Sequence, residues 1–231
     1  MEEFEVVRFV MGMAILVFSC VFHECAHVWV AYKLGDNTGK DLGRLTLNPI
    51  PHIDLFWTIL LPALMLISSR PPIGGPKPAP VNPSNFRNPR VGDLWCSLAG
   101  PASNLLLAAA GLLLLRLLLA IAPDLVAPDS WNALFFFSIF RINVVLALVN
   151  LIPVPPLDGS RFVHFIAGPS LDPVMNFFDR AGWLTALPIL FAFMVLAPYA
   201  LGPFWQIANP VLAVFLGEEY FYTLRQTYFS Q

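Results

Sequence analysis

The chain has 231 residues, of which 57% are hydrophobic and 12% charged, with a formal net charge of −2. That charged fraction is about half of what a soluble globular chain carries, so the expected solvent is lipid. No basic tract and no run of Lys or Arg interleaved with aromatics is present, which points away from nucleic acid as a partner.

Residues 9–22, 94–115 and 181–217 contain no charged side chain. Length and charge predict helices over residues 8–32, 94–122 and 131–152, with a shorter apolar piece at 55–69. The first is expected to be a permanent helix and not a cleaved signal, because Glu2, Glu3 and Glu5 stand where a signal would be basic. Residues 181–217 are expected to form two short helices, broken near Pro198, Gly202 and Pro203. Cys20, Cys25 and Cys96 are few, odd in number and without CxxC spacing, so they predict buried free thiols and neither disulfides nor a thiolate zinc site.

Residues 70–93 form a polar region with seven prolines, which excludes a regular helix and favours extended backbone. Two readings stay open. It is a solvated linker, or it is an ordered edge or lid beside the active site, since extended backbone can pair with an unwound substrate strand.

Within the first helix, residues 21–30 read VFHECAHVWV and contain His23-Glu24-Cys25-Ala26-His27. Positions four apart stack one turn above each other, so both imidazoles reach a common point. Two neutral imidazoles with an adjacent carboxylate make the zincin arrangement, in which zinc activates a water and the glutamate takes its proton. Chance copies of this pattern are common on solvated helices. Inside an apolar span the desolvation cost turns the expectation to function. A catalytic zinc needs a third protein ligand and an open position, and Asp158 follows another apolar helix in the stretch NLIPVPPLDG at residues 150–159. Pro153, Pro155 and Pro156 predict that the chain unwinds there, which at membrane depth is tolerated only against protein or water.

Taken together, His-Glu-Cys-Ala-His on the first helix, Ala99-Gly100-Pro101 with Asn104 on the middle one, and Asn150 through Leu157-Asp158-Gly159 on the last resemble the site-2 protease family of intramembrane metalloproteases. The resemblance covers about residues 8–160. It implies His23, His27 and Asp158 as zinc ligands, Glu24 as catalytic base, and substrate-side roles for Asn150 and Asn104. It also implies an all-α, polytopic transmembrane bundle with a three-helix catalytic core. Composition and length extend the expectation to a single membrane-embedded protease domain over residues 1–231, with C-terminal membrane helices at about 181–217. Expected partners are a transmembrane protein substrate and membrane lipid. No PDZ-like or CBS-like segment is recognisable, so the control that such domains give larger relatives is expected either to be absent or to come from a separate regulatory membrane protein. The expected location is a multi-pass position in a bacterial or archaeal plasma membrane.

Five polar residues fall outside that pattern. His52 and Asp54 read either as a second polar site or as a helix-start cap in which Asp54 satisfies backbone donors. His164 is expected at a surface, because a fourth protein ligand would close the open position. Arg116 and Arg141 are expected to snorkel or to pair with carboxylates instead of lining the catalytic cavity.

Parity fixes the topology. The ends of the first helix and of the helix before Asp158 must lie at similar depth, so one of the two intervening apolar segments cannot span; residues 55–69 are the shorter and contain Pro62. Lys33, Lys40 and Arg44 on one side of that segment, and Arg70, Lys77, Arg87 and Arg90 on the other, put both loops in the cytoplasm, whereas Asp124 and Asp129 suit the outer face. The segment is therefore expected to be re-entrant. Two rivals remain: a metal transporter, which needs a polar path on both sides of the ion, and an inert membrane scaffold, which has no need of Glu24 between intact ligands.

Overall fold

The computed structural model describes residues 3–60, 77–181 and 186–229. Helices dominate it, and no strand occurs among the described residues. The chain divides into two compact units, one built from Met1–Leu105 with Leu146–Ala186, the other from Leu106–Val145 with Leu187–Gln231.

The first unit opens with α1 (Glu3–Leu34). Its end is set by Gly35, whose φ of 114° suits a residue without Cβ: the Asp36 amide donates to the Ala31 carbonyl at 2.9 Å and the Gly35 amide to Tyr32 at 3.3 Å, the paired bonds of a Schellman turn. A single turn, α2 (Thr38–Asp41), follows. Next come a 3₁₀ turn at Ile50–His52 and a π-helical turn at Leu55–Leu60. Most of the segment expected to be re-entrant, residues 61–69, lies outside the described residues, as do residues 70–76.

Helix α3 (Pro89–Ile121) starts five residues earlier than its apolar pattern announced. Pro89 at the first position loses nothing by lacking an N–H, and the polar residues behind it hide the helix start from a hydropathy reading. Helix α4 (Trp131–Asn150) ends at Asn150, and residues 151–158 proceed by turns to α5 (Gly159–Ala167). This return is tight. A Cβ on Gly159 would stand 2.3 Å from the Leu151 carbonyl oxygen, so only glycine lets the loop close on itself. Helix α6 (Asp172–Ala181) completes the unit.

In the second unit the outer part of α3 and most of α4 are joined by a 3₁₀ turn at Pro123–Val126, and α7 (Ala186–Leu216) and α8 (Glu218–Phe229) follow. The expected break within residues 181–217 is corrected here: α7 is one continuous helix through Pro198, Gly202 and Pro203. A membrane helix tolerates proline where local adjustment re-satisfies the freed carbonyl. The chain turns only at Gly217, with φ of 97°, before α8. Phe137, Phe140, Phe221 and Trp205 interlock edge to face or tilted, and the Tyr220 hydroxyl donates to the Val126 carbonyl at 2.7 Å. The Arg141 guanidinium lies over the Trp205 ring, 5.1 Å from its centre, a cation–π contact that the sequence reading did not include.

The distribution of polarity is that of a protein in lipid. Glu24, His23, His27, Asn104 and Asn143 are buried, whereas Leu106, Leu113, Ile121, Ile207 and Val214 are exposed. Three helices, Val6–Leu34, Pro89–Ile121 and Trp131–Asn150, are long and apolar enough to cross a bilayer.

Candidate metal centre

The i, i+4 spacing in α1 sets the two imidazoles at a mutual angle of 83°, with Nε2 of His23 and Nε2 of His27 3.0 Å apart. From the turn after α4, Oδ2 of Asp158 comes within 3.2 Å of His23 Nε2 and 3.4 Å of His27 Nε2. These three atoms form a nearly equilateral triangle. A tetrahedral ion with bonds of about 2.0–2.2 Å spaces its ligand atoms about 3.3–3.6 Å apart, close to what the side chains already present.

Both histidines are oriented from behind. Nδ1 of His23 lies 2.7 Å from Oδ1 of Asn104, and Nδ1 of His27 lies 2.7 Å from the Cys96 carbonyl. Each acceptor takes the Nδ1 proton, which leaves both Nε2 lone pairs facing Asp158. Asp158 Oδ2 is buried and has no hydrogen-bond donor, an acceptor left open at the third corner of the triangle. Gly100 on α3 supplies the room: a Cβ there would stand 2.4 Å from His27 Nε2 and 2.6 Å from His23 Nε2. Open acceptor, paired lone pairs and small-residue cradle all fit zinc.

Glu24 is buried on the same helix, next in sequence to His23 and one turn short of His27. Asn104, fully buried, touches His23; its amide nitrogen reaches toward the Ser19 carbonyl at 3.4 Å. Asn150 donates to the Leu146 carbonyl within its own helix at 2.9 Å. His164 stands away from the triangle, 2.7 Å from the Asp172 carboxylate. Asp54 accepts from the Phe56 amide at 3.0 Å, as a cap of the turn it precedes, and His52 is buried against the Thr46 carbonyl at 2.9 Å. Burial first, and then the charge of Arg44, hold the His52 imidazole below its ordinary range against the pull of that carbonyl. The three cysteines are free, and Cys96 Sγ donates to the His27 carbonyl at 3.4 Å.

Two buried residues went unrecognised as structural in the sequence: Asp36, which was not singled out, and Arg44, which was read only as a loop charge. Asp36 is buried and accepts from the Thr38 hydroxyl at 2.6 Å, the Asn85 side chain at 2.7 Å, the Asn82 amide at 2.8 Å and the Thr38 amide at 3.1 Å. Burial would raise its carboxyl; those four donors outweigh it and hold the group below the usual carboxylate range. Arg44, also buried, donates to the carbonyls of Lys77 and, at 3.3 Å, Pro78. Gly100 was singled out as part of Ala99-Gly100-Pro101, and the structure adds the reason for it, the closeness of both imidazoles.

The family model described as peptidase family M50 matches residues 118–193, a stretch that includes Asp158. A candidate zinc metalloprotease of Bacillus subtilis (strain 168), YwhC, is 40% identical over 195 residues, 84% of this chain and 84% of that protein. The chain belongs to peptidase family M50. As a member of that family with three helices able to cross a bilayer, it is a membrane protein. A candidate zinc metalloprotease of Mycolicibacterium smegmatis, Rip2, is 32% identical over 151 residues, 65% of this chain and 55% of that protein, so the chain spans about half of that M50 relative. Rip2 of Mycobacterium tuberculosis (strain H37Rv) matches with the same identity and coverage. No solved structure matches the chain.

Proposed function

We propose that this protein is an intramembrane zinc metalloprotease that hydrolyses peptide bonds in or near the membrane segments of other membrane proteins. The observation that carries the reading is the triangle of His23 Nε2, His27 Nε2 and Asp158 Oδ2 at 3.0–3.4 Å, with Glu24 beside it. In this reading His23, His27 and Asp158 hold zinc, which supplies Lewis acidity to a water molecule and to the scissile carbonyl. Glu24 accepts a proton from the attacking water and returns it to the leaving amine, so that O–H and C–N break as C–O and N–H form. Asn104 orients His23. Asn150 hydrogen-bonds the backbone of a locally unwound substrate, where a fixed amide dipole in a water-poor site is worth most. The names of the YwhC and Rip2 relatives support the metal and the reaction class.

The protein substrate is a transmembrane one, the location a multi-pass position in a cell membrane, and residues 1–231 act as one protease domain in contact with lipid. Glu24→Gln should keep zinc at the parental stoichiometry while cleavage of a transmembrane substrate falls about 10³-fold or more, because the amide cannot accept the proton. His23→Ala, His27→Ala and Asp158→Ala should each release zinc, since one of three protein ligands is gone. Parental zinc binding by Asp158→Ala would show that the third ligand lies elsewhere.

A further inference from the structure

Arg90, Asp93, Cys96, Gly100 and Asn104 follow one another on α3 at intervals of three and four, which keeps them on one face of the helix. Two of them stand behind the histidines: Asn104 Oδ1 meets His23 Nδ1 and the Cys96 carbonyl meets His27 Nδ1, each at 2.7 Å. Asp158 is reached from the same face by a longer route. It is the N-cap of α5, and the Arg161 amide donates to its carbonyl at 3.0 Å, so its backbone moves with that helix. Helix α5 is tied to the first turns of α3 at both ends. Near its start the Arg161 guanidinium lies 3.7 Å from Asp93 Oδ2; near its end the Phe165 carbonyl accepts from Arg90 Nη2 at 2.5 Å. The Arg90 guanidinium also lies 5.5 Å from the centre of the Phe165 ring, and it packs against Gly168, where a Cβ would stand 2.9 Å from Nη2. The side chains of Asp93 and Arg161 are only 17% and 24% exposed, so solvent screens their attraction less than it would at an open surface.

We infer that Arg90, Asp93 and Arg161 are positioning residues for the third metal ligand: the Asp93–Arg161 ion pair and the Arg90–Phe165 hydrogen bond fix α5 against α3, so that Asp158 arrives in register with the two histidines. The inference rests on the reading of Asp158 as a ligand. His23 and His27 share one helix, which by itself keeps them one turn apart. Asp158 has no such guarantee, because it comes from a separate turn far along the chain. A metal site tolerates errors of only about 0.2 Å in its ligand distances, and the two side-chain torsions of an aspartate cannot make up for a displaced backbone. One attachment would leave α5 free to pivot. Two, at opposite ends of the helix, fix its direction as well as its place. Since α3 also orients both imidazoles, one rigid helix refers all three proposed ligands to the same frame.

The test uses the full chain in detergent or nanodiscs, with zinc affinity read by chelator competition and the visible spectrum read with cobalt in place of zinc. Asp93→Ala, Arg161→Ala and Arg90→Ala should each weaken zinc binding about 10-fold, the low end for losing a group that orients a ligand. Each should also shift the visible bands of the bound cobalt, which report ligand geometry. Because Asp93 and Arg161 act as one pair, their double variant should lose about the same 10-fold and not about 100-fold. Arg161→Lys keeps the charge and should stay within about 3-fold of the parent. Parental affinity in any of the three alanine variants, or losses that multiply in the double one, overturns the inference. Should an alanine variant fail to fold, exchange of the pair decides: Asp93→Arg with Arg161→Asp should bind zinc within about 3-fold of the parent, and a loss of about 10-fold or more, or no folded protein, overturns the inference. Asp158→Ala separates the two ideas. Parental zinc binding by that variant ends the ligand assignment, whereas loss of zinc there with parental binding in the Asp93 and Arg161 variants ends the positioning role alone.

Discussion

Asn104 Oδ1 lies 2.7 Å from His23 Nδ1, joining the middle of α3 to the middle of α1 at a point where neither side chain meets water. The carboxamide thereby selects the tautomer of His23 that offers Nε2 to the metal. Asn104→Ala should weaken zinc binding by about 10- to 100-fold, the usual cost of losing an orienting partner of a metal-bound histidine. A chelator competition titration reads this directly, and parental affinity would return Asn104 to a purely substrate-side role.

Gly100→Ala asks whether the space beside the imidazoles is needed. Its Cβ would meet His27 Nε2 at 2.4 Å and His23 Cε1 at 2.5 Å, separations that no carbon–nitrogen or carbon–carbon contact sustains. The expected outcome is a folded protein with lost zinc and lost cleavage. Gly202→Ala, where a Cβ would meet nothing within 4 Å, is the control and should bind zinc as the parent does. Full metal content in Gly100→Ala would show that α3 can retreat without harm.

Topology can be tested at Asp36. Asp36 accepts from both Asn82 and Asn85, so the two ends of the stretch containing residues 55–69 meet on one side of the protein. Single cysteines at Asn37 and Ser84, in a background lacking Cys20, Cys25 and Cys96, should therefore react with an impermeant maleimide from the same face. The acidic connection after α3, with Asp124 and Asp129, predicts that a cysteine at Ser130 reacts from the other. Labelling of Asn37 and Ser84 from opposite faces would contradict the hydrogen bonds between their neighbours.

Acid should loosen the same contacts, and the sign follows from the direction of the shift. The Asp36 carboxyl is held low in the folded protein, against an ordinary value of about 3.9 when unfolded. The unfolded chain therefore takes up the proton first as pH falls. Asp36 contributes stability above about pH 4, lost as pH drops through its lower folded value. Asp36→Ala should cost about 1.5–3 kcal/mol at pH 7, the range for hydrogen bonds to a charged group, and much less near pH 2. Thermal unfolding of parent and variant at both pH values checks it; a difference that does not shrink in acid would mean that the carboxylate is not the operative group. His52 adds a milder effect of the same sign at higher pH: its imidazole is held low, so its share of stability is complete above about pH 6.5 and declines below.

The sequence spoke most clearly where chemistry is expensive. Two histidines and a glutamate inside an apolar helix, and an aspartate after a proline-broken one, are legible because lipid gives such groups no bland alternative. Asp36 and Arg44 were illegible for the opposite reason: in a loop rich in Lys, Asn and Gly a charge reads as solvated, and only the fold reveals that both are buried against residues 77–85. Proline misled in one place and informed in another. At Pro198 and Pro203 it predicted a break that α7 does not make, since helix interruption is a local cost that a long apolar helix absorbs. At residues 151–158 three prolines within four positions left no helical solution, and the chain turns there.

The triangle joins α1 to a turn that follows it by more than half the chain, and this separation has a meaning in time. While the protein is being synthesised, α1 with both histidines and Glu24 is in place before Asp158 exists. At about 5–20 residues per second, the gap lasts on the order of ten seconds. Throughout that interval the first helix lies beside other nascent membrane segments with only two of its three proposed ligands. On the proposed ligand set, cleavage is silent during the protein's own insertion and becomes possible only once Asp158 has been made.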